Sequence, residues 1–353
     1  MPSIKAAAAA FLFSAACAIA PASAQTRLFS DNTELQAAIE GPLSTLVRTA
    51  QRGTDPYPAA FVLQDGATTH RFEIQLSAGG ISRRTGGICA FPPLRLNFDG
   101  DAVRGTPMQG QNKLKLVTRC RANGNYEQLT VLEYLAYRMY NEVTPLSFRV
   151  RPVRVTYRDT DGRRREETQL NFLIEDESDM ARRNERRVPI DVQSAEVRSS
   201  QLDANAAATL SVFQYMIGNL DWDALQDHPG RGCCHNVKLI AVSAEARAGI
   251  VPVPYDFDYS GFVDAPYALA PEGLGINSVR QRVFRGYCVH NDALPAVLER
   301  FRARRDAVFA TIDSETRLSE SARRSAHAFI QGFYEIIDDP GRVNRQMVQR
   351  CRG

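Results

Sequence analysis

Three short stretches in the second half of the chain decide how the sequence is interpreted: Gly218-Asn-Leu-Asp-Trp222, His235-Asn-Val-Lys-Leu239 and Pro254-Tyr-Asp-Phe-Asp-Tyr-Ser-Gly261. The first comes at the end of an apolar helical pattern over Asp203–Ile217. The other two border a predicted hairpin, whose strands cover Asn236–Val242 and Gly249–Phe257. Short polar side chains therefore gather where a buried helix and two strands end.

These polar residues form an ordered set: Asp221 comes first, Asn236 second and Asp256 third, with Asp258 two residues later. Phosphoryl transfer needs such a set, because one Asp orients or deprotonates the acceptor while an Asn and an Asp hold a divalent metal against the phosphates. Asp and Asn are also common at helix ends, so each residue taken alone has a structural explanation. The combination and its order predict a phosphoryl-transfer site.

Lysine is rare in this chain, which has four lysines among its 43 basic residues. A retained lysine is therefore either a leftover surface residue or a place where a compact ammonium is wanted. Lys113 and Lys115 share one face of the predicted strand Asn112–Val117. We expect one of them to point into a cleft near Asp256, and Arg95 competes with them for the role of phosphate-binding cation.

A helix predicted over Asn125–Tyr140 follows the lysine strand directly. It carries Glu127 and Glu133, and we expect one of these glutamates to pair with the lysine, as in a kinase-like first lobe.

The remaining pattern predicts an α+β chain with a sheet-rich first part and a helix-rich second part. Thr33–Gln51 has helical spacing, which predicts a helix or a half-helix. Ala78–Gly87 is glycine-rich and basic, which indicates an exposed loop. Further strands are predicted over Tyr57–Gln64, Thr69–Ser77, Pro93–Phe98, Phe148–Tyr157 and Thr168–Ile174, and further helices over Ala293–Ile312, Ser319–Ile337 and Gly341–Cys351.

The first 24 residues have the pattern of a secretory signal peptide. Lys5 precedes the apolar run Ala6–Ala20, and Ala22-Ser-Ala24 offers a cleavage site. No later stretch has the ~18 apolar residues of a transmembrane helix. The formal net charge is +3, with 43 Lys+Arg against 40 Asp+Glu, which argues against a nucleic-acid binder acting through a broad basic field. The sequence predicts an exported protein, periplasmic or secreted.

Six cysteines follow the predicted leader, which in an oxidising compartment favours disulfide bonds. We predict a bond between Cys89 and Cys120, which flank two strands of the first part and would close a loop of about 30 residues, stabilising by ~3–4 kcal/mol. Because a bond between adjacent cysteines is strained, Cys233 and Cys234 are expected to pair elsewhere or to leave one thiol free. The pairing among Cys233, Cys234, Cys288 and Cys351 stays open.

Several stretches together resemble the spore-coat kinase (CotH-type) proteins, an atypical branch of the protein-kinase-like fold. They span about Ser77 to Gly261, and the chain looks closer still to uncharacterised exported bacterial proteins that share them. The stretches are Cys89–Phe98, Lys113–Val117, Glu133–Met139, Phe172–Asp176, Gly218–Trp222, His235-Asn236 and Pro254–Asp258.

The resemblance implies a two-lobed protein-kinase-like fold, ATP, Mg²⁺ or Mn²⁺, and transfer to an exported protein. Asp221 then takes the catalytic position, Asn236 one metal position, and Asp256 or Asp258 the second. Lys113 or Lys115, with Glu133, takes the nucleotide side. After the leader, a sheet-rich N-lobe over residues 25–177 and a helix-rich C-lobe over 178–353 are expected.

The chain also departs from that family. Asn236 follows Asp221 by fifteen residues instead of about five, so Ala224–Cys234 resembles an insertion. The glycines near Gly79 and Gly86 make only a weak phosphate-binding loop. Two hypotheses follow: an exported atypical kinase-like phosphotransferase, or a catalytically inactive kinase-like module that binds a partner or ligand.

Overall fold

The computed structural model of the protein describes residues 27–84, 87–122, 124–190, 197–227 and 232–353. The signal peptide predicted over residues 1–24 lies outside these described residues.

Seven strands form one closed sheet, a barrel in the order β1-β2-β3-β4-β5-β7-β6. Neighbouring strands are antiparallel except β1 and β6, whose parallel pairing closes the barrel. The strands are β1 Leu35–Gly41, β2 Tyr57–Asp65, β3 Thr68–Ala78, β4 Leu94–Phe98, β5 Lys113–Val117, β6 Val150–Asp159 and β7 Glu167–Ile174. Six of these strands follow the predicted patterns closely, whereas the closure was not predicted.

Of the helix or half-helix expected over Thr33–Gln51, the structure forms the half-helix, and the first half of the segment is strand β1. Only Leu43–Thr49, helix α1, is helical. Two features explain the difference. Gly41-Pro42 interrupts the helical pattern, because Pro is tolerated only at the start of a helix. The backbone of Gly41 also lies against Ala59 of β2, where a Cβ would come within 2.8 Å of that residue.

The second part of the chain is mainly helical and contains one two-stranded hairpin, β8 Val237–Ile240 paired with β9 Val251–Pro254. The expected helix over Ala293–Ile312 is two helices, α5 Leu294–Ala303 and α6 Arg305–Asp313, separated at Arg304. The other helices after α1 are α2 Tyr126–Val143, α3 Glu177–Arg183, α4 Ala204–Ile217, α7 Glu320–Ile337 and α8 Pro340–Gln346. The α+β class is therefore as predicted.

Two helices bring the two parts of the chain together. Helix α2 comes from the sheet-rich part, yet it belongs to the same hydrophobic core as α4, β9 and the terminal helices. Tyr140 of α2 lies 4.4 Å from Phe213 of α4, measured between ring centroids. Helix α4 is buried along nearly its whole length and ends at Gly218, whose φ of +62° turns the chain out of the helix. The loop carrying Asp221 therefore starts from a fixed point.

Three disulfide bonds occur in the described chain. Cys89 is bonded to Cys120, as predicted, and Cys288 is bonded to Cys351. Cys233 is bonded to its neighbour Cys234, so the expectation that these two would not pair with each other is wrong. The remaining four cysteines form the other two bonds. Both sulfurs of the Cys233–Cys234 pair lie near the carbonyl oxygen of Ala224, at 3.6 and 3.2 Å.

None of the helices in the described part of the chain combines the length and the apolar character needed to cross a membrane.

Candidate functional site

The loop after α4 is held by two buried side chains. Asn219, 1% exposed, accepts a hydrogen bond from the backbone N–H of Asp221 at 3.0 Å through its side-chain oxygen. The indole N–H of Trp222 donates to the carbonyl of Asn219 at 3.1 Å. Arg352, next to the Cys288–Cys351 bond, stacks over the Trp222 ring and pairs with Asp223 at 2.9 Å. The C-terminal tail therefore supports the loop that presents Asp221.

Asp221 belongs to a set of four polar residues that we call the loop cluster: Asp221, Asp227, His235 and Asn236. His235 Nε2 lies 2.7 Å from Asp221 Oδ1, and His235 Nδ1 lies 3.1 Å from Asp227 Oδ1. Asn236 donates to both the carbonyl and the Oδ2 atom of Asp221, at 2.7 and 2.9 Å. Both carboxylate oxygens of Asp221 are therefore engaged.

The charge state of His235 follows from these contacts. The hydrogen bond with Asp221 raises the pKa of His235 above its usual value, against the opposing effect of burial, and Asp227 adds to the rise. A ring that faces a carboxylate at each nitrogen is most stable with both nitrogens protonated. The loop cluster therefore favours the protonated form of His235 between its two carboxylates.

Asp256 follows hairpin β8–β9 after one residue and contacts the sheet-rich part of the chain. Its carboxylate lies 2.8 Å from Lys115 Nζ of β5, and its backbone N–H donates to the hydroxyl of Tyr137 on α2 at 2.8 Å. Burial favours a raised pKa for Asp256, but the charge and hydrogen bond of Lys115 outweigh it, so the pKa is lowered. Asp256 therefore carries a negative charge that links β5 to the hairpin.

The three predicted residues, Asp221, Asn236 and Asp256, lie at one end of hairpin β8–β9. Asn236 precedes β8, and Asp256 follows β9 after one intervening residue. The N–H of Tyr255 donates to the carbonyl of Asn236 at 3.1 Å, closing that end. Asn236 contacts Asp221 directly, so Asp221, Asn236 and Asp256 lie in one region of the molecule. Asn236 and Asp256 both have positive φ, +51° and +63°, a conformation uncommon outside glycine.

A second group, which we call the buried carboxylate cluster, consists of Glu133, Asp256 and Asp258. Each offers an oxygen, and these oxygens lie within 4.8 Å of one another. Phe257, fully buried, packs on Tyr137 of α2 at a centroid distance of 4.6 Å, which fixes the two aspartates on either side of it. Glu133 is 2% exposed and Asp258 is 4% exposed.

Burial and mutual repulsion change how these carboxylates titrate. Burial, with added repulsion from Asp258, raises the pKa of Glu133 to about 8. Burial, with added repulsion from Asp256, raises the pKa of Asp258 to about 6. Perturbed carboxylates that share one cleft are typical of functional sites, although structural networks also produce them.

The cation beside Glu133 is not the one that we expected. Arg83 NH1 lies 3.5 Å from Glu133 and 3.9 Å from Asp258, whereas Lys115 pairs with Asp256. The expected pairing of Glu133 with a lysine is therefore not formed. The other candidate glutamate, Glu127, lies 3.7 Å from Arg119.

The two lysines of β5 have different surroundings. Lys115 contacts Asp256, as expected for one of the two lysines. Lys113 is exposed at the start of the strand, so it fits the alternative of a leftover surface residue. Arg95, which pairs with Lys115 across the sheet, is also exposed.

The sequence pattern does not predict the role of Arg83. The segment Ala78–Gly87 was expected to be an exposed loop, yet Arg83 is 5% exposed, and its guanidinium donates to the carbonyl of Thr118 at 2.5 Å. Local pattern offers no signal for this burial, because Arg83 lies among other arginines and glycines. His235 was also missed, although its position next to Asn236 was a usable signal.

No known protein family matches the chain. None of the curated proteins matches it either.

Proposed function

We propose that this protein is an exported, atypical kinase-like phosphotransferase that uses ATP and a divalent metal on a protein substrate. The observation that carries the proposal is the ion pair between Lys115 and Asp256, 2.8 Å long. It joins a strand of the sheet-rich part to the end of the hairpin where Asn236 and Asp221 also lie. We propose in the same way that the fold has two lobes and that the closed sheet is the N-lobe.

The chain order of the residues supports this assignment. In protein kinases a strand lysine, a helix glutamate, a loop Asp, an Asn and a final Asp follow one another along the chain. Here that order is Lys115, Glu133, Asp221, Asn236 and Asp256. Each lies on the corresponding kind of element: a strand, the helix after it, a loop after a buried helix, and the start and finish of a hairpin, which lie at its same end.

The residues present fit a divalent cation. Asp256 and Asp258 supply carboxylate oxygens, which Mg²⁺ and Mn²⁺ prefer, and an oxygen of Glu133 beside them has no hydrogen-bond partner among the described residues. When bound, such an ion neutralises phosphate charge. Asn236 is the remaining candidate ligand, although its side-chain nitrogen is occupied by Asp221.

The protein's own side chains then have distinct tasks. Lys115 offers an ammonium to the phosphates, at the cost of its contact with Asp256. Asp221 orients the acceptor hydroxyl and accepts its proton at a carboxylate oxygen. His235 and Asn236 hold that carboxylate in place.

Export is supported by three disulfide bonds in the described chain, since such bonds persist in oxidising compartments. The periplasm and the extracellular space both meet that condition. The proposal that the substrate is a protein rests on the resemblance to spore-coat kinases.

The alternative is a catalytically inactive kinase-like secreted module that binds a ligand. Two observations favour it: both oxygens of Asp221 are engaged within the protein, and the guanidinium of Arg83 lies among the carboxylates that a metal needs.

Nucleotide binding to the oxidised protein with Mn²⁺ tests the proposal, with Lys115→Met as the key variant and Lys113→Met as its matched control. Wild type and Lys113→Met should bind ATP, and Lys115→Met should lose at least tenfold in affinity. Asp221→Asn should retain binding and lose transfer of labelled phosphate to protein. Binding without transfer in wild type favours the inactive module, and the absence of any nucleotide binding contradicts both the phosphotransferase and a nucleotide-binding role.

A further inference from the structure

We propose that Glu133, on helix α2, is a ligand of a divalent cation shared with Asp256 and Asp258, and that Arg83 competes with this cation for the same carboxylates. The inference deepens the proposed function and rests on it for the purpose of the ion, while binding of the ion can be measured separately. It changes the role expected for Glu133, from a partner of the lysine to a metal ligand.

The spacing of the three carboxylates suits one small cation. Their candidate ligand atoms lie within 4.8 Å of one another. Oxygens on opposite sides of Mg²⁺ or Ca²⁺ are about 4 to 5 Å apart, since each metal–oxygen distance is about 2.0 to 2.6 Å. Small side-chain rotations are therefore enough to bring all three oxygens to a common ion.

Glu133 has an unmet need for a partner. Its side chain is almost fully buried, and the Oε1 atom has no hydrogen-bond partner among the described residues. A buried carboxylate oxygen without a partner is costly unless a cation or a donor reaches it. A metal ion shared with Asp256 and Asp258 would supply that partner.

Arg83 compensates the cluster incompletely. Its contacts with Glu133 and Asp258, at 3.5 and 3.9 Å, are longer than the ~2.8 Å of a charge-assisted hydrogen bond. Its Nε atom also lacks a partner among the described residues. When all three are ionised, the carboxylates face two contacting cations, Arg83 and Lys115, which leaves room for further positive charge.

Arg83 lies on the short connection between β3 and β4. It belongs to a single turn, Ser82–Arg84, that follows Gly80 with a φ of +70°. A cation entering the cluster repels the guanidinium, so removing its charge should favour the ion. Arg83 therefore behaves as an internal competitor rather than as a structural requirement for metal binding.

The test measures Mn²⁺ binding to the oxidised full-length protein without nucleotide, by the electron paramagnetic resonance signal of the free ion. Glu133→Gln should weaken binding at least tenfold, and Asp258→Asn should do the same. Glu127→Gln, the same change on the same helix, should leave the affinity unchanged. Arg83→Gln should tighten binding about tenfold. Circular dichroism and thermal unfolding check that each variant is folded.

The outcomes separate the claims. Wild-type affinity in folded Glu133→Gln, or no Mn²⁺ binding in wild type, overturns the metal role of Glu133. Unchanged or weakened binding in Arg83→Gln overturns the competition. Mn²⁺ binding that depends on Glu133 in a protein that never binds ATP keeps this inference and contradicts the proposed phosphotransferase.

Discussion

The loop cluster and the buried carboxylate cluster are neighbours, and the negative charge of their carboxylates is compensated to different extents. In the loop cluster, His235 lies between two carboxylates, and both oxygens of Asp221 have a partner within 2.9 Å. In the buried carboxylate cluster, Glu133 keeps one oxygen without a partner among the described residues, and its nearest guanidinium is 3.5 Å away.

The difference shows what each cluster is suited to do. A saturated set of hydrogen bonds fixes a carboxylate in one orientation, although it leaves that carboxylate fewer free acceptor sites for a substrate. An undercompensated set in a buried place gains most from an added cation. The loop cluster is therefore suited to positioning, and the buried carboxylate cluster to binding.

The largest effect that separates the clusters should come from Arg83→Met. Without the guanidinium, Glu133 and Asp258 lose a contacting cation, and breaking a buried pair in this way costs about 3 to 5 kcal/mol of unfolding free energy. Urea unfolding at pH 8.5 measures the loss, which should shrink at pH 5 as the carboxylates take up protons. The control Arg104→Met, at an exposed ion pair with Asp101, should change stability by less than ~0.5 kcal/mol. Equal losses in both variants would contradict the comparison.

Glu133→Gln should flatten the dependence of stability on pH. The folded protein keeps the Glu133 proton up to about pH 8, whereas the unfolded chain releases it near the ordinary value of 4.5. Since the folded state binds the extra proton, wild-type stability falls as pH rises between these values. The variant should lose ~1–3 kcal/mol less between pH 5.5 and 8.5 in urea unfolding. The stability of Glu127→Gln should depend on pH as that of wild type does. If the stability of Glu133→Gln depends on pH as strongly as that of wild type, the raised pKa of Glu133 is contradicted.

His235→Gln should act on the loop cluster with a smaller effect, about 1 to 2 kcal/mol at pH 6. The pKa of His235 is raised by its contact with Asp221, so its stabilising contribution is complete below the unfolded value of 6.5 and is lost as pH rises through the folded value. Stability measured at pH 6 and pH 9 should therefore show the larger loss at pH 6. A loss that is the same at both pH values would indicate packing rather than charge.

The smallest effect concerns the two carboxylates that flank His235. Asp221→Asn should lower the pKa of His235 more than Asp227→Asn does, because the hydrogen bond with Asp221 is the main cause of the rise. Proton nuclear magnetic resonance of the imidazole follows both titrations, and the spectrum of His235→Gln assigns the signal. The reverse order would place the stronger partner at Asp227.

The contact between Lys115 and Asp256 can be predicted from the sequence because it depends on local pattern. Alternation along β5 fixed which face Lys115 occupies, and the hairpin fixed where Asp256 comes. The pairing with Glu133 failed for a different reason. Which of two cations reaches a buried carboxylate depends on the path of the distant segment that carries Arg83, and no periodicity records that path.

Strand β1 shows the same limit at the level of the fold. Leu35, Ile39 and Leu43 have helical spacing, yet the first two are in a strand because β1 pairs with β2 on one side and β6 on the other. The parallel pairing joins residues more than a hundred positions apart, such as Leu35 and Val153. Only the tertiary structure decides such a competition between local spacing and distant pairing.

The closed sheet has a consequence for how other chains can approach the molecule. In the closed sheet each strand has a neighbour on both sides, so none of β1 to β7 is an edge strand along its whole length. Recognition by strand addition, which many peptide-binding domains use, is limited here to short stretches that a neighbouring strand leaves uncovered, such as residues 167–171 of β7 on the side of β5. An extended partner must therefore rely mainly on side chains and loops, and those beside hairpin β8–β9 are nearest to Asp221.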